Sequence, residues 1–194
     1  MIKYIIAIFI SAVISYLLGS CNSSIITVKL LKGEDIRKFG SGNAGLTNTL
    51  RCFGKLPALF TLIGDLLKGV IAVFICKFIC TLLDAGIGLD GDIRYIGYIA
   101  GLFAVIGHIF PVYYGFKGGK GVLVGVSVFL VIDPAVFGIL IFIFAVTLIL
   151  THYVSVSSIT ASVCCPIVTF LMRYFIEGIS IEISIIHTLL TLPI

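Results

Sequence analysis

Apolar residues dominate seven stretches of this chain, 4–18, 56–83, 95–114, 122–132, 135–150, 159–172 and 183–194. Continuous apolar runs, without the alternation of barrel strands, predict helices buried in a membrane. At about 20 residues per crossing, a chain of this length has room for five to seven spans and no separate soluble domain. A shorter apolar run, 25–31, follows the first span after Gly19-Ser20-Cys21-Asn22-Ser23-Ser24. Pro134 suits the first residue of a helix, so 122–132 and 135–150 are expected as two helices joined by a turn at Asp133.

The polar segments between these runs are unequal in charge. Residues 32–55 hold Lys32, Arg37, Lys38, Arg51 and Lys55 against Glu34 and Asp35, and Lys117 and Lys120 follow the 95–114 run. Residues 84–94 instead carry Asp84, Asp90 and Asp92 against Arg94. Basic loops stay in the cytoplasm. The expected fold is therefore an all-α integral membrane protein, a bundle of about seven transmembrane helices with the N-terminus outside and the C-terminus cytoplasmic. On this reading 151–158 is a short inner loop, while the 133–134 turn and 173–182 lie outside. No internal repeat or linker interrupts the chain, and 1–194 reads as a single domain.

Composition agrees, with 60% hydrophobic residues, 11% charged residues and a mean hydropathy of +1.25, where soluble domains carry roughly 25% charged residues. The net charge of +4 is small. No basic face with interleaved aromatics exists, which argues against nucleic acid as a partner. The six cysteines show no metal-ligand spacing and read as small reduced core residues. The first 18 residues lack a small-residue cleavage site and more spans follow, so they read as the first helix.

Residues 39–51, FGSGNAGLTNTLR, concentrate Gly, Ser, Asn, Thr and Arg in a chain where such residues do not favour lipid. They read as one wall of an anion site. Residues 116–122, FKGGKGV, read as the facing wall, since glycines let backbone amides crowd a phosphate and Arg37, Lys117 and Lys120 bring the opposite charge. Ser20 lies either in close helix packing or near the mouth of this site. Asp65 and Lys68, three apart on one helix face, are either a tolerated ion pair or a brace for the site. His108, one turn before the glycine loop, is either a hydrogen-bonded structural histidine or an acid/base group.

The pattern Asp35-Ile36-Arg37, Gly40-Ser41-Gly42-Asn43, Gly45, Thr47-Asn48, Arg51, Gly54, Asp65 and Lys68-Gly69 closely resembles the bacterial membrane glycerol-3-phosphate acyltransferases that use acyl phosphate as donor. Gly107-His108, Phe110-Pro111 and Phe116-Lys117-Gly118-Gly119-Lys120-Gly121-Val122 resemble the same family's phosphate loop, and 153–159 its serine-bearing inner loop. The resemblance implies a seven-helix bundle in the bacterial inner membrane with a cytoplasmic active site. It implies acyl transfer from acyl phosphate to the first hydroxyl of glycerol 3-phosphate, giving lysophosphatidic acid and phosphate. No metal or organic cofactor is implied.

Acyl phosphate is already activated, so positioning and charge stabilisation suffice. No Ser-His-Asp or Cys-His arrangement is present. Lys120 with the amides of Gly118, Gly119 and Gly121 is expected to cradle the donor phosphate, with Lys117 beside it. Arg37, Ser41 and Asn43 are expected to contact either phosphate, with Gly42, Thr47 and Asn48 in the same wall, Asp35 orienting Arg37, and Ser155 or Ser158 completing the cradle. The catalytic set expected is Lys120, Arg37, Ser41 and His108. Three features depart from the family pattern: Leu123-Val124 after the glycine loop, His152 where arginine is common, and a stop at Leu192-Pro193-Ile194 before a third cytoplasmic motif. The stop leads us to expect a truncated, frameshifted or degenerate copy. A homologue that binds phosphate ligands without transfer is one alternative reading. A transporter of a phosphorylated solute is another, disfavoured because the polar clusters gather on one side.

Overall fold

A computed structural model describes residues 2–83 and 94–192, and the regular structure of these residues is helical throughout. Helix α1 (Ile2–Ser20) is followed by α2 (Ser23–Lys32), which Asn22 caps by accepting from the Ile25 amide at 3.1 Å. A 3-10 turn (Ile36–Lys38) and α3 (Leu46–Phe53) lead into the long α4 (Lys55–Leu82). Then come α5 (Arg94–Ile109), a second 3-10 turn (Val112–Tyr114), α6 (Val122–Ile132) and α7 (Pro134–Thr151). Helix α8 (Val154–Leu171) continues as a π turn (Met172–Ile176) before α9 (Ile181–Thr191).

Helix α5 is the pivot, with α1, α4, α6 and α9 packed around it. Small residues set the approach. A Cβ on Gly19 would collide with the Ala104 backbone, and one on Gly107 with the Tyr16 carbonyl, so the α1 and α5 backbones touch. On the α6 side, Gly97 and Gly101 leave room for Ile132 and Val128. The largest apolar core joins Val73, Cys76, Ile96, Ala100, Val128 and Phe129.

The surface is inverted relative to a soluble protein. Phe9, Phe78, Phe142, Ile149 and Leu150 are exposed, while Ser11, Ser15, Thr61, Asp65, Lys68, Asp133 and Arg173 are buried. Such a surface is stable only in lipid. Among the described residues, five helical segments are long and apolar enough to cross a membrane, Ile2–Lys32, Lys55–Leu82, Arg94–Tyr114, Pro134–Thr151 and Val154–Ile176. Helices α6 and α9 have 11 residues each. At 1.5 Å per residue each extends about 16 Å, half of a ~30 Å hydrocarbon core.

Several expectations need correction. The 32–55 segment is not a plain loop, because α3 and a 3-10 turn occupy it. Only His152 and Tyr153 separate α7 from α8, so Ser155 and Ser158 are helical. The acidic segment falls at 84–93, outside the described residues, as do Pro193 and Ile194. Asp133 and Arg173, read only as parts of the connections at 133–134 and 173–182, are both buried in the protein. Asp133 caps α7 by accepting from the Val136 amide at 3.2 Å and pairs with Arg173, which also pairs with Glu177. The Tyr98 hydroxyl donates to Asp133 at 3.2 Å, and Arg94 meets Glu177 at 2.7 Å. Charges in an apolar bundle are stable only when they neutralise one another this way. All six cysteines are free, and Cys76, Cys80 and Cys165 are buried.

Two predictions follow from this packing. Gly107→Ala forces apart α1 and α5 and costs about 1–3 kcal/mol, read as a lower thermal midpoint in detergent; an unchanged midpoint contradicts the close approach. Arg173→Met strands the Asp133 carboxylate and costs about 3–5 kcal/mol. Adding Asp133→Asn should restore much of that loss, and failure of the second change to help would contradict a buried charge pair.

Candidate active site

The C-terminal end of α5 presents backbone carbonyls that need donors, as every helix end does. The chain supplies them by folding back. Phe110 N–H donates to Ile106 O at 2.8 Å, Gly118 N–H to Ile109 O and Gly119 N–H to His108 O, both at 3.1 Å. Tyr16, from α1, donates its hydroxyl to Phe110 O at 2.9 Å. Glycine is required at these contacts: a Cβ on Gly118 would strike His108 O, and one on Gly119 would strike both His108 Nε2 and Ala44 O. The Gly118 and Gly119 amides are thus committed to α5. At the other end of the loop, Gly121 has φ of 80° and starts α6 with no side-chain cap, which leaves the first helical amides open to an anion.

The first polar loop is shaped by Asn48. Its Oδ1 accepts from the Ser41 amide at 3.1 Å and its Nδ2 donates to Phe39 O at 3.0 Å, which folds 39–42 over α3. Gly40 and Gly42 turn there with φ of 57° and 71°. Asn22 then donates to Ala44 O at 3.2 Å, fastening the loop to the start of α2. Ser24 and Thr49 add a hydroxyl pair at 2.7 Å.

Arg37 stitches the two loops together. Its Nη1 donates to Tyr114 O at 2.7 Å and to Lys117 O at 3.3 Å, while Nε and Nη2 bind the Asp35 carboxylate at 2.7–3.1 Å. Asp35 also caps the 3-10 turn by accepting from the Arg37 amide at 3.0 Å. Hydrogen bonds from Arg37 hold the Asp35 carboxyl below its ordinary range, and Asp35 raises Arg37 in return.

Beneath the loops, three charged or polar side chains from two helices meet in the protein interior. Lys68 Nζ lies 2.9 Å from Asp65 Oδ1, 2.7 Å from His108 Nδ1 and 3.3 Å from Cys21 O. Asp65 and Lys68 thus form the ion pair and also reach the histidine under the glycine loop. Ser20 ends α1, donating to Tyr16 O at 2.8 Å while its Oγ accepts from the Val112 amide at 3.4 Å.

The remaining expected residues divide by position. Ser41, Thr47, Lys117 and Lys120 are exposed, Asn43 is half-buried, and no described residue hydrogen-bonds or ion-pairs with the side chains of these five. Ser155 and Ser158 stand on α8, which packs on α7 and α9; Ser158 donates to Val154 O at 2.8 Å. Among the described residues, no hydrogen bond joins either serine to the glycine loops. No group of three or more His, Cys, Asp or Glu side chains capable of holding a metal occurs among the described residues. Asn22 and Tyr16 are the site residues that sequence reasoning passed over. Their signal was a polar side chain at the end of an otherwise apolar helix.

Because Asp35 is lowered in the folded chain, its pair with Arg37 stabilises fully above the unfolded value of about 3.9 and is lost as pH falls through the folded value. Asp35→Asn should therefore lower the thermal midpoint at neutral pH by the equivalent of at most about 1 kcal/mol. The gap to the unmodified chain should close in acid. A gap that persists at acid pH would assign the effect to something other than this pair.

Comparison with known proteins adds to this geometry. The model of the family described as Glycerol-3-phosphate acyltransferase matches residues 9–193. The chain is 40% identical over 183 residues to a glycerol-3-phosphate acyltransferase of Staphylococcus saprophyticus, covering 92% of this chain and 88% of that one. It is 39% identical over 169 residues to one of Clostridioides difficile, covering 87% and 80%. Its fold matches the crystal structure of PlsY (YgiH), an integral membrane glycerol 3-phosphate acyltransferase, in its glycerol 3-phosphate form. That match has a TM-score of 0.74 and 30% identity, covering 95% of this chain and 86% of the other. The lysophosphatidic acid form of the same protein matches with a TM-score of 0.71 at 28% identity, covering 95% and 85%.

Proposed function

Because the chain belongs to the glycerol-3-phosphate acyltransferase family, we propose that it moves a fatty acyl group from acyl phosphate to glycerol 3-phosphate, with the joined glycine loops as its phosphate site. The observation that carries this reading is the lysine pair. Lys117 and Lys120 extend from a loop that closes on the first loop at Gly119, and their ammonium groups have no described protein partner. Two free cations beside glycine backbone and an uncapped helix start form a place for a phosphoanhydride.

The chemistry needs no protein nucleophile. The glycerol hydroxyl oxygen attacks the acyl carbonyl carbon, the carbon–oxygen bond to phosphate breaks, and phosphate leaves with the electron pair. A phosphate oxygen accepts the hydroxyl proton, so that lysophosphatidic acid and inorganic phosphate are formed. Lys120 and the first amides of α6 steady the leaving phosphate. Ser41, Asn43 and Thr47, in the first polar loop and the start of α3, orient the acceptor in this reading. Arg37 holds the two walls at a fixed separation through backbone carbonyls of the glycine loop. A recess for the acyl chain lies along α2, lined by Ile25, Ile26, Leu30, Tyr114 and Lys29, whose Nζ donates to Gly33 O at 3.2 Å.

The site faces the cytoplasm in this reading, and the protein resides in the bacterial inner membrane as a single polytopic domain with its N-terminus outside. Charge supports this orientation, because Lys29, Lys32, Arg37, Lys38, Arg51, Lys55, Lys117 and Lys120 all belong to α2, α3, the start of α4 or the two loops. The test is formation of lysophosphatidic acid from palmitoyl phosphate and glycerol 3-phosphate by purified protein. Lys120→Ala should lower the rate by on the order of 100-fold or more at an unchanged thermal midpoint. Binding of acyl phosphate without transfer in the unmodified chain would overturn acyl transfer and leave a phosphate-binding homologue.

A further inference from the structure

His108 is more than nine-tenths buried, and its two ring nitrogens face different surroundings. On one side, Nδ1 lies 2.7 Å from Lys68 Nζ. Lys68 is paired with Asp65 at 2.9 Å and donates to Cys21 O at 3.3 Å, so its ammonium has a carboxylate, a carbonyl and the imidazole nitrogen around it. An ammonium carries donors only, so Nδ1 must present its lone pair. Asp65 Oδ1 is 3.7 Å from Nδ1, too far to accept a proton from it directly. The neutral imidazole also completes the charge balance: one carboxylate and one ammonium cancel, whereas an imidazolium would leave a net positive charge buried in a membrane bundle.

When one nitrogen of a neutral imidazole accepts, the other carries the proton. Here that nitrogen is Nε2. It lies where a Cβ on Gly119 would sit, beside Ala44 O, at the point where the two polar loops converge. Among the described residues Nε2 has no hydrogen-bond partner. An N–H with no described protein acceptor, on a buried ring at the point where the two proposed phosphate loops meet, is a donor available to a ligand oxygen.

We infer that His108 acts as a neutral hydrogen-bond donor from Nε2 to an oxygen of bound acyl phosphate, and that Lys68, held by Asp65, is the positioning residue that fixes this tautomer. The inference rests on the phosphate-site reading of the two loops. It assigns to His108 the opposite of a base: the imidazole gives a hydrogen bond throughout and accepts no proton from the glycerol hydroxyl. The Asp65–Lys68 pair then acts on the reaction from beneath the site without touching substrate.

Two measurements test it. Imidazole nitrogen NMR on histidine-labelled protein, assigned with His108→Gln, should show His108 protonated on Nε2 alone at neutral pH, and Lys68→Met should release it into a mixture of tautomers. An imidazolium or an Nδ1-protonated ring in the unmodified chain would overturn the inference, as would a tautomer indifferent to Lys68→Met. In the acyl transfer assay, His108→Gln retains a side-chain N–H donor near Nε2 and should keep activity within about tenfold, whereas His108→Ala should fall by on the order of 100-fold. If glutamine is as inactive as alanine in folded protein, or if both are fully active, the donor role is wrong. Absence of transfer in the unmodified chain would instead strike the proposed function, while the NMR result still decides the tautomer.

Discussion

The end of one buried helix governs this molecule. Carbonyls at the C-terminus of α5 need donors, and the following chain returns to satisfy them. The amides of Gly118 and Gly119 do so, and only glycine fits there because His108 and Ala44 occupy the space of any side chain. A loop forced back over its own helix places Lys117, Lys120 and the start of α6 beside the first polar loop. Helix termination and the proposed phosphate site thus share one piece of backbone.

Polar groups elsewhere in the bundle follow the same constraint. Helix α5 carries a cluster at each end: Tyr98 with Asp133, Arg173 and Glu177 at its start, and His108 with Lys68 and Asp65 at its finish. Each cluster contains both signs of charge, as burial in an apolar bundle demands. The first cluster anchors the short α6 and the π turn after α8 to the bundle. The second lies directly under the glycine loop, with His108 against Gly118 and Gly119. The same physical solution braces the bundle at one end and supports the glycine loop at the other.

Much of this was legible in the residue pattern. The apolar run at 56–83 became Lys55–Leu82, and the joint at Asp133-Pro134 became a capped helix start. Both polar walls and the Asp65–Lys68 pair were visible because such residues have no reason to sit in lipid without partners. Other features depended on contacts across long stretches of chain. Helix α3 was hidden because it is eight residues long, polar at Thr47, Asn48 and Thr49, and flanked by Gly45 and Gly54, so it resembles a loop, yet Asn48 bonds the backbone of 39–41 and stabilises it. Arg37 looked like a phosphate ligand, but its partners include carbonyls about eighty residues away, which no local pattern reveals. Arg173 read only as part of the 173–182 connection, because its counterion, Asp133, lies forty positions earlier.

The account stands on a single phosphate site shared by two distant loops. The most direct measurement is the position of phosphorus in a crystal of the protein with a non-hydrolysable acyl phosphonate. The account predicts phosphorus between the loops, with its oxygens in hydrogen-bond reach of Lys120 Nζ and of a residue in 39–51. Phosphorus contacting one loop alone, or seated in the Arg173 cluster at the far end of α5, would contradict it.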